Sequence, residues 1–530
     1  MKLPEIGIVL KYFLVLQALA MASTSTMATT AKANYDQRER DWRNGAIVYQ
    51  VLVDRFVPSA NLDAKRGLYP APKVRRDWSA PAKAGVYLAD QKLNSAELDF
   101  WGGDLQSLTT RLDHIQQLGA DVLYLNPIHL AYTNHKYDAF DFKAISPEYG
   151  THQEFKHLAA NVPQRGMKLV LDGVFNHMGR NSPAFKEAMA KPSSPWRHWF
   201  AIGPQYKGGA RVWTGYQNLP ELNLEHPPVR QYLYEAPDSV LRGYLRDGAD
   251  GWRLDTAFEL GHRYLQDLRH AARQEKKDAL IVGEIVNYPD QWLQSMDGVM
   301  NFTLRQIILG LAQGELSTSA ATRMTERLVR DAGIEPLLKS WNVIDNHDIP
   351  RIHTQLPDTR QRRLVQALQF TLPGSPNVYY GSEVGMTGGG DPENRGPMRW
   401  DQVQPDQAEL VWMKRLIALQ QGHRALRVGD YRRIEAERLF AFERHTDKAL
   451  DTRIVLANPG NTPVTEKIMV ANAALMDDTP LVNLLADDPR QTVTTMGPGL
   501  ITVTVPAQSV MVLQPVERDL GGYSRYKRVR

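Results

Sequence analysis

Short apolar runs alternate with helix-like stretches along most of this chain, and no other feature restricts its fold as strongly. Eight runs have strand character: residues 46–53, 121–128, 168–175, 251–255, 279–285, 298–302, 341–346 and 377–380. They are short, apolar and rich in Val, Ile and Leu, as buried strands are. Helical stretches fall between most of them, at 102–118, 155–165, 240–247, 264–276, 319–332 and 358–370. This rhythm predicts an α/β protein in which eight βα units close into a (β/α)8 TIM barrel. An open doubly wound sheet shares the alternation, but no G-x-G-x-x-G follows a strand here.

Two regions break the rhythm. Residues 178–234 are irregular and carry Trp196, Trp199 and Trp213, which predicts a loop subdomain after the third strand. Beyond Gly429 the pattern shifts to short alternating runs at 439–442, 452–456, 466–470, 500–505 and 509–513. Turn signals such as Asn458-Pro459-Gly460-Asn461 divide them. This predicts a C-terminal antiparallel β-sandwich over 429–517, with the catalytic barrel over 34–428.

The ends are read separately. Lys2 and Lys11 precede the apolar run 12–22, and Ala31-Lys32-Ala33 offers an A-x-A cleavage pattern. Residues 1–33 are therefore expected to be a signal peptide, and the protein to be exported, periplasmic or secreted. No segment is apolar for long enough to span a membrane. Residues 518–530 are a basic tail, expected to be a frayed, solvated end. The balance of 63 basic against 59 acidic residues gives a net charge of +4, too weak a bias for nucleic acid. The chain has no cysteine, which excludes disulfides, thiolate metal sites and a thiol nucleophile. Oligomeric state is not readable.

Acidic residues cluster at strand ends. Asp255 ends Gly-Trp-Arg-Leu-Asp, Glu284 lies in Ile-Val-Gly-Glu-Ile, Asp348 follows Asn346-His347, and Asp172, Asn176 and His177 close the third strand. In a (β/α)8 barrel the carboxyl ends of the strands build one pocket. Converging carboxylates suit glycoside hydrolysis, where one attacks the anomeric carbon and the other protonates the leaving oxygen. Arg253, two residues before Asp255, shares its strand face and would hold it ionised. Residue types alone leave a second chemistry open, a metal-dependent hydrolase using Asp172, His177, His347 and Asp348.

These segments resemble the α-amylase superfamily of retaining glycoside hydrolases. Asp172-Gly-Val-Phe-Asn-His177, Gly251-Trp-Arg-Leu-Asp255, Gly283-Glu284 and Asn346-His347-Asp348 are similar to its four signatures, in order. Leu219-Pro-Glu-Leu-Asn223 and the run from Gly374 to Glu383 are similar to two further family segments. Within the superfamily the likeness is to neopullulanases, cyclomaltodextrinases and maltogenic amylases, through Asn134-His-Lys-Tyr-Asp138 and the stretch from Gly388 to Met398. It departs in two places. The first strand follows closely on the expected cleavage point, without the N-terminal domain of that group. Thr256-Ala257-Phe258-Glu259 replaces the group's Val-Ala-Asn-Glu.

The resemblance implies Asp255 as nucleophile, Glu284 as acid and then base, and Asp348 as a grip on sugar hydroxyls. Arg253 would pair with Asp255, His177 and His347 would bond hydroxyls, and Tyr137 would stack on a sugar face. Asp391 and Arg395 would hold the next sugar, Phe258 would be a platform, and Asp172 would support Arg253 from behind. The implied substrate is an α-glucan oligosaccharide or polysaccharide, cut at α-1,4 bonds in maltodextrins, cyclomaltodextrins or starch by double displacement. A transglycosylase and, of another class, a catalytically silent glucan-binding protein are the alternatives. No cofactor is required. Asn176 resembles a family calcium ligand, and Asn61, Asp63, Gly103 and Asp104 are a second candidate calcium cage.

Overall fold

The computed structural model describes residues 35–491, 493–518 and 520–528. The expected leader lies outside the described residues. Eight parallel strands close into a barrel: β1 (Val48–Val51), β2 (Val122–Leu125), β3 (Lys168–Gly173), β4 (Gly251–Leu254), β5 (Leu280–Ile285), β6 (Gly298–Asn301), β7 (Trp341–Asn342) and β8 (Ser375–Tyr379). Each strand pairs with its sequence neighbours, and β8 returns to β1 through Val48 opposite Asn377. All eight expected runs form barrel strands.

The barrel is a layered core. Side chains alternate along a strand, so one set fills the lumen and the other meets the helices. Val48, Val122, Val170, Leu280, Met300 and Trp341 belong to one buried cluster. Their neighbours Ile47, Leu123, Leu169, Trp252 and Ile281 belong to a second, larger one. The helices that cover the outside follow ordinary rules. α1 (Leu112–Leu118) ends at Gly119, whose φ of 97° is the left-handed conformation that glycine adopts freely. α2 (His152–Asn161) starts on a capping box of Thr151 and Glu154. α3 (Val240–Arg246) precedes β4. α4 (His262–Glu275) buries Leu265, Leu268, Ala271 and Ala272, a stripe at helical spacing. Between β5 and β6 there is only the short turn Trp292–Gln294. After β6 come α5 (Phe302–Ala312), α6 (Thr318–Ala332) and α7 (Ile334–Lys339).

α8 (Thr359–Thr371) follows β7 and is buried on nearly all sides, including Leu364, Val365, Leu368 and Phe370. A barrel helix ordinarily keeps a solvated face. Here the C-terminal sheet covers it. That sheet contains β9 (Asp430–Arg433), β10 (Phe440–His445), β11 (Thr452–Asn458), β13 (Thr479–Asn483), β14 (Val493–Met496) and β16 (Ser509–Pro515), in the order β9-β10-β11-β16-β13-β14. A two-stranded sheet of β12 (Val464–Met469) and β15 (Leu500–Val505) completes the unit. Ile454, Leu456, Ile468, Ile501 and Leu513 form its own core. Phe440, Phe442, Val455 and Val512 join the core of the barrel shell instead. β9, β13 and β14 lack the alternation that exposes the other strands to a sequence reading. The basic tail, read as frayed, is tied down at Arg525, which pairs with Asp477 at 2.9 Å, and Tyr526 bonds Thr479 at 2.7 Å. Among the described residues no helix is long and apolar enough to cross a membrane.

Candidate active site

Inward positions change character along the barrel axis. Val48, Val122 and Val170 give way, two residues further on, to Gln50, Tyr124 and Asp172. Arg253 stands in register with Asp172 on one side and Val282 on the other, and Glu284 follows at the next inward position. The apolar plug thus becomes polar at the carboxyl ends of the strands, where barrel enzymes keep their sites.

Arg253 is fully buried and touches three carboxyls. Its Nη1 donates to Asp172 at 2.9 and 3.0 Å and to Asp255 Oδ1 at 3.0 Å. Its Nη2 lies 3.0 Å from Glu284 Oε2. One cation faces three acids in a dry site. Burial works against the Arg253 charge, and the Asp172 and Glu284 carboxyls more than offset it. Burial pushes Asp255 well above the usual carboxylate range. Arg253 pulls it down, and Glu284, Asp172 and Asp348 push it further up. Glu284 is raised by burial against Arg253, with Asp348 adding to the rise. Asp172 is raised by burial too, against Arg253 and the hydroxyls of Tyr124 at 2.6 Å and Tyr137 at 2.9 Å. Asp255 and Glu284 therefore titrate as a pair, with their protons drawn to higher pH than free carboxyls hold them.

The backbone around the pair is specialised. Thr256, next after Asp255, has φ 39° and ψ 46°, a left-handed conformation that costs a β-branched residue ~1–3 kcal/mol. The reward is local: its N–H donates to Glu284 Oε2 at 3.0 Å. Gly283 cannot be replaced here, because a Cβ would collide with Met296 Sδ and lie 2.9 Å from Ala257 Cβ.

The loop after β7 supplies the opposite wall. His347 Nε2 lies 3.2 Å from Asp348 Oδ2, and Arg395 Nη2 donates to Asp348 Oδ1 at 3.1 Å. Arg395 also reaches Asp391 at 3.3 Å and donates from Nε to the His347 carbonyl at 2.8 Å. Burial opposes the Arg395 charge, while Asp391 and Asp348 hold its pKa above the ordinary value. Asp348 is 40% exposed, so the site opens to solvent there. Tyr137, expected as a sugar platform, lies parallel to the His347 ring at 5.4 Å, and its hydroxyl is taken by Asp172 and His347.

His177 is buried, with Nε2 unpartnered and its ring stacked on Trp213 at 5.6 Å. Burial lowers its pKa to about 3, so the ring is neutral. Phe258 is half-buried on the short helix Ala257–Leu260 that follows the nucleophile candidate. Sequence reasoning missed Tyr124, Gln50, Asn126 and Glu259. A polar residue at an inward strand position, such as Gln50 inside an apolar run, was the available signal.

The calcium candidates do not form an open cage. Asp104 caps a helix through Ser107 N–H and takes the Lys65 ammonium at 2.6 Å, and Lys65 also donates to the Glu148 carbonyl at 3.2 Å. Asp63 is exposed and pairs with Arg66, and Gly103 N–H donates to the Asp54 carbonyl. Asn176 donates to Glu259 at 3.2 Å. A lysine nitrogen already neutralises the acid best placed to bind a cation, so this donor set does not fit a resident calcium. Among the described residues no group of three or more His, Asp or Glu side chains could hold a metal ion, the quartet of the metal-hydrolase alternative included.

A groove of about 1050 Å³ opens beside the pair. Glu284 and Asp348 form one end, and Val286, Tyr288, Phe302 and Met324 line it outward over α5 and α6. Val286, Tyr288 and Met324 are 61%, 36% and 45% exposed, an apolar surface left open beside the site.

Two carboxyls bound to one buried arginine, beside a groove at the carboxyl face of a (β/α)8 barrel, have the makings of a glycoside hydrolase site, and the chain's relatives place it in that class. The chain belongs to the alpha-amylase family, whose catalytic domain matches residues 50–446. It is 33% identical over 433 residues to a cyclomaltodextrinase from a Bacillus species, covering 79% of this chain and 73% of that one. It is 32% identical to neopullulanase 2 from Thermoactinomyces vulgaris, covering 79% and 70%. A cyclic α-maltosyl-(1→6)-maltose hydrolase from Arthrobacter globiformis, solved with that sugar, superposes with a TM-score of 0.74 at 30% identity, over 89% of this chain and 99% of its own.

Proposed function

We propose that this enzyme is a retaining α-glucan hydrolase that opens α-1,4 bonds in cyclomaltodextrins and maltodextrins. The contact of one guanidinium with both Asp255 and Glu284 carries the reading. A guanidinium spans only a few ångström, so these carboxyls are neighbours, as the paired acids of glycosidases are. The likeness of their segments to those of a retaining family supports double displacement over inversion. Arg253 holds Asp255 Oδ1 and leaves Oδ2 to attack the anomeric carbon. Glu284 gives its proton to the glycosidic oxygen as that bond breaks. Its carboxylate then takes a proton from water, the water oxygen bonds the anomeric carbon, and Asp255 is released. Asp348, fixed by Arg395 and His347, grips hydroxyls of the reacting sugar. The groove past Glu284 receives the departing chain, whose sugar C–H faces suit Tyr288 and Val286. The names of the relatives support a cyclic or linear maltodextrin as substrate.

A product time course on γ-cyclodextrin, maltoheptaose, pullulan and soluble starch tests the reading. We expect γ-cyclodextrin to open faster than starch is attacked, and NMR to show the first product as the α-anomer. A β-anomer as first product would exclude double displacement.

The occupied cage supports a second point: the enzyme works without calcium, with Lys65 in the place of a cation. Dialysis against a chelator is expected to leave both Tm and activity unchanged. A drop in Tm that added calcium reverses would overturn this.

A further inference from the structure

Gln50 plays no part in the catalytic scheme, yet it sits at the root of the polar site. It projects into the lumen from β1 and is fully buried. Its amide contacts three partners. Asn377 Nδ2 donates to Gln50 Oε1 at 3.2 Å. Gln50 Nε2 donates to Asn126 Oδ1 at 3.0 Å and lies 2.9 Å from His347 Nδ1. With the Asn126 and Asn377 amides oriented as they stand, Nε2 is the donor toward His347. Its Nδ1 must therefore be an acceptor. A neutral imidazole has one N–H, and the hydrogen bond at one nitrogen decides which atom carries it.

We propose that Gln50 is a positioning residue that locks His347 with its proton on Nε2. The consequences run along the wall of the site. His347 Nε2–H then serves Tyr137 Oη, 2.5 Å away, and the same nitrogen lies 3.2 Å from Asp348 Oδ2. Asn126 Nδ2 also donates to Tyr137 Oη at 3.0 Å. With both acceptor directions of that oxygen filled, the Tyr137 O–H has one course left, toward Asp172 Oδ2 at 2.9 Å. Asp172 holds Arg253, and Arg253 holds Asp255 and Glu284. A single amide on the first strand thus sets the direction of every hydrogen bond from His347 to the arginine. Burial above all keeps the ring neutral, helped by the positive charges of Arg395 and Arg253 and by His135, which face it.

The kinetic part of this rests on the hydrolase reading, but the proton position does not. Nitrogen-15 spectra of enzyme labelled at histidine are expected to show His347, assigned by a His347→Gln spectrum, as the Nε2–H form at neutral pH. Gln50→Glu keeps the shape and replaces the donor with an acceptor. It should move the proton onto Nδ1 or charge the ring, and lower kcat/KM on maltoheptaose about 10- to 100-fold, as loss of a partner that orients a functional histidine does. Gln50→Met removes donor and acceptor, and should give a mixture of both forms with a similar loss, carried by kcat more than KM. An Nδ1–H form in the parent enzyme would overturn the proposal. So would either folded variant with the parent's spectrum and kinetics, or a fall in Tm with kcat/KM unchanged. If the parent fails to hydrolyse any α-glucan, the functional reading falls while the spectra still decide the role of Gln50.

Discussion

An Asp255→Asn variant is expected to lose glucan hydrolysis by roughly 10⁴- to 10⁶-fold, to keep its affinity for maltodextrin, and to melt at a higher temperature than the parent. The first effect follows from removing the attacking oxygen, for which nothing else in the site substitutes. The second follows because Asp348, Arg395 and the groove residues are untouched. The third follows from the crowding around Arg253. Burial and the neighbouring carboxyls raise the Asp255 pKa in the folded protein well above its unfolded value. A carboxyl shifted upward stabilises the fold at low pH and loses that contribution as pH rises through the folded-state value. At neutral pH Asp255 is therefore a burden, which Asn relieves by ~0.5–2 kcal/mol. The gain should grow with pH. Kinetics on maltoheptaose, titration calorimetry and thermal melts at several pH values check all three. Activity above about one per cent of the parent would remove Asp255 from its assigned role.

Arg253→Met should act in the opposite sense on stability. It leaves Asp172, Asp255 and Glu284 buried without their shared cation. Breaking a buried ion pair from one side costs about 3–5 kcal/mol. The loss should be smallest in acid, where the carboxyls take up protons, and largest above neutrality. Adding Asp172→Asn removes one of the orphaned charges and should recover part of the loss. Denaturant unfolding of both variants across pH measures this. An unfolding free energy for Arg253→Met equal to the parent's would mean that the three acids do not depend on the arginine.

The barrel was legible because its strands are buried on both faces, and a short apolar run is then a sufficient signal. The acids at strand ends were legible because they interrupt such runs. β9, β13 and β14 were not, since edge and half-covered strands carry little apolar alternation, as Asp430-Tyr431-Arg432-Arg433 illustrates. Nor was the cage around Asp104. Its acid and turn glycines are present in sequence, but only the fold brings the Lys65 ammonium onto the carboxylate. Tyr137 was legible as an aromatic residue near a sugar site, and the fold adds the two bonds of its hydroxyl, to Asp172 and His347.

α8 is exposed to water only at its first turn, at Thr359 and Arg360, and this ties two units together. On one side Gln369 donates to the carbonyls of Asn342 and Asn377, both at 2.8 Å, and so grips β7, which leads to His347, and β8, whose Asn377 side chain bonds Gln50. On the other side the C-terminal sheet closes over the helix, and Arg444 donates to the Thr371 carbonyl at 2.8 Å. An exchange of the C-terminal unit for a foreign one would have to reproduce that apolar face and that arginine. Recombination at the boundary near Gly429 would therefore carry a cost in stability. The two parts should descend as one heritable block, with drift in the sheet constrained by the chemistry at the far end of the helix.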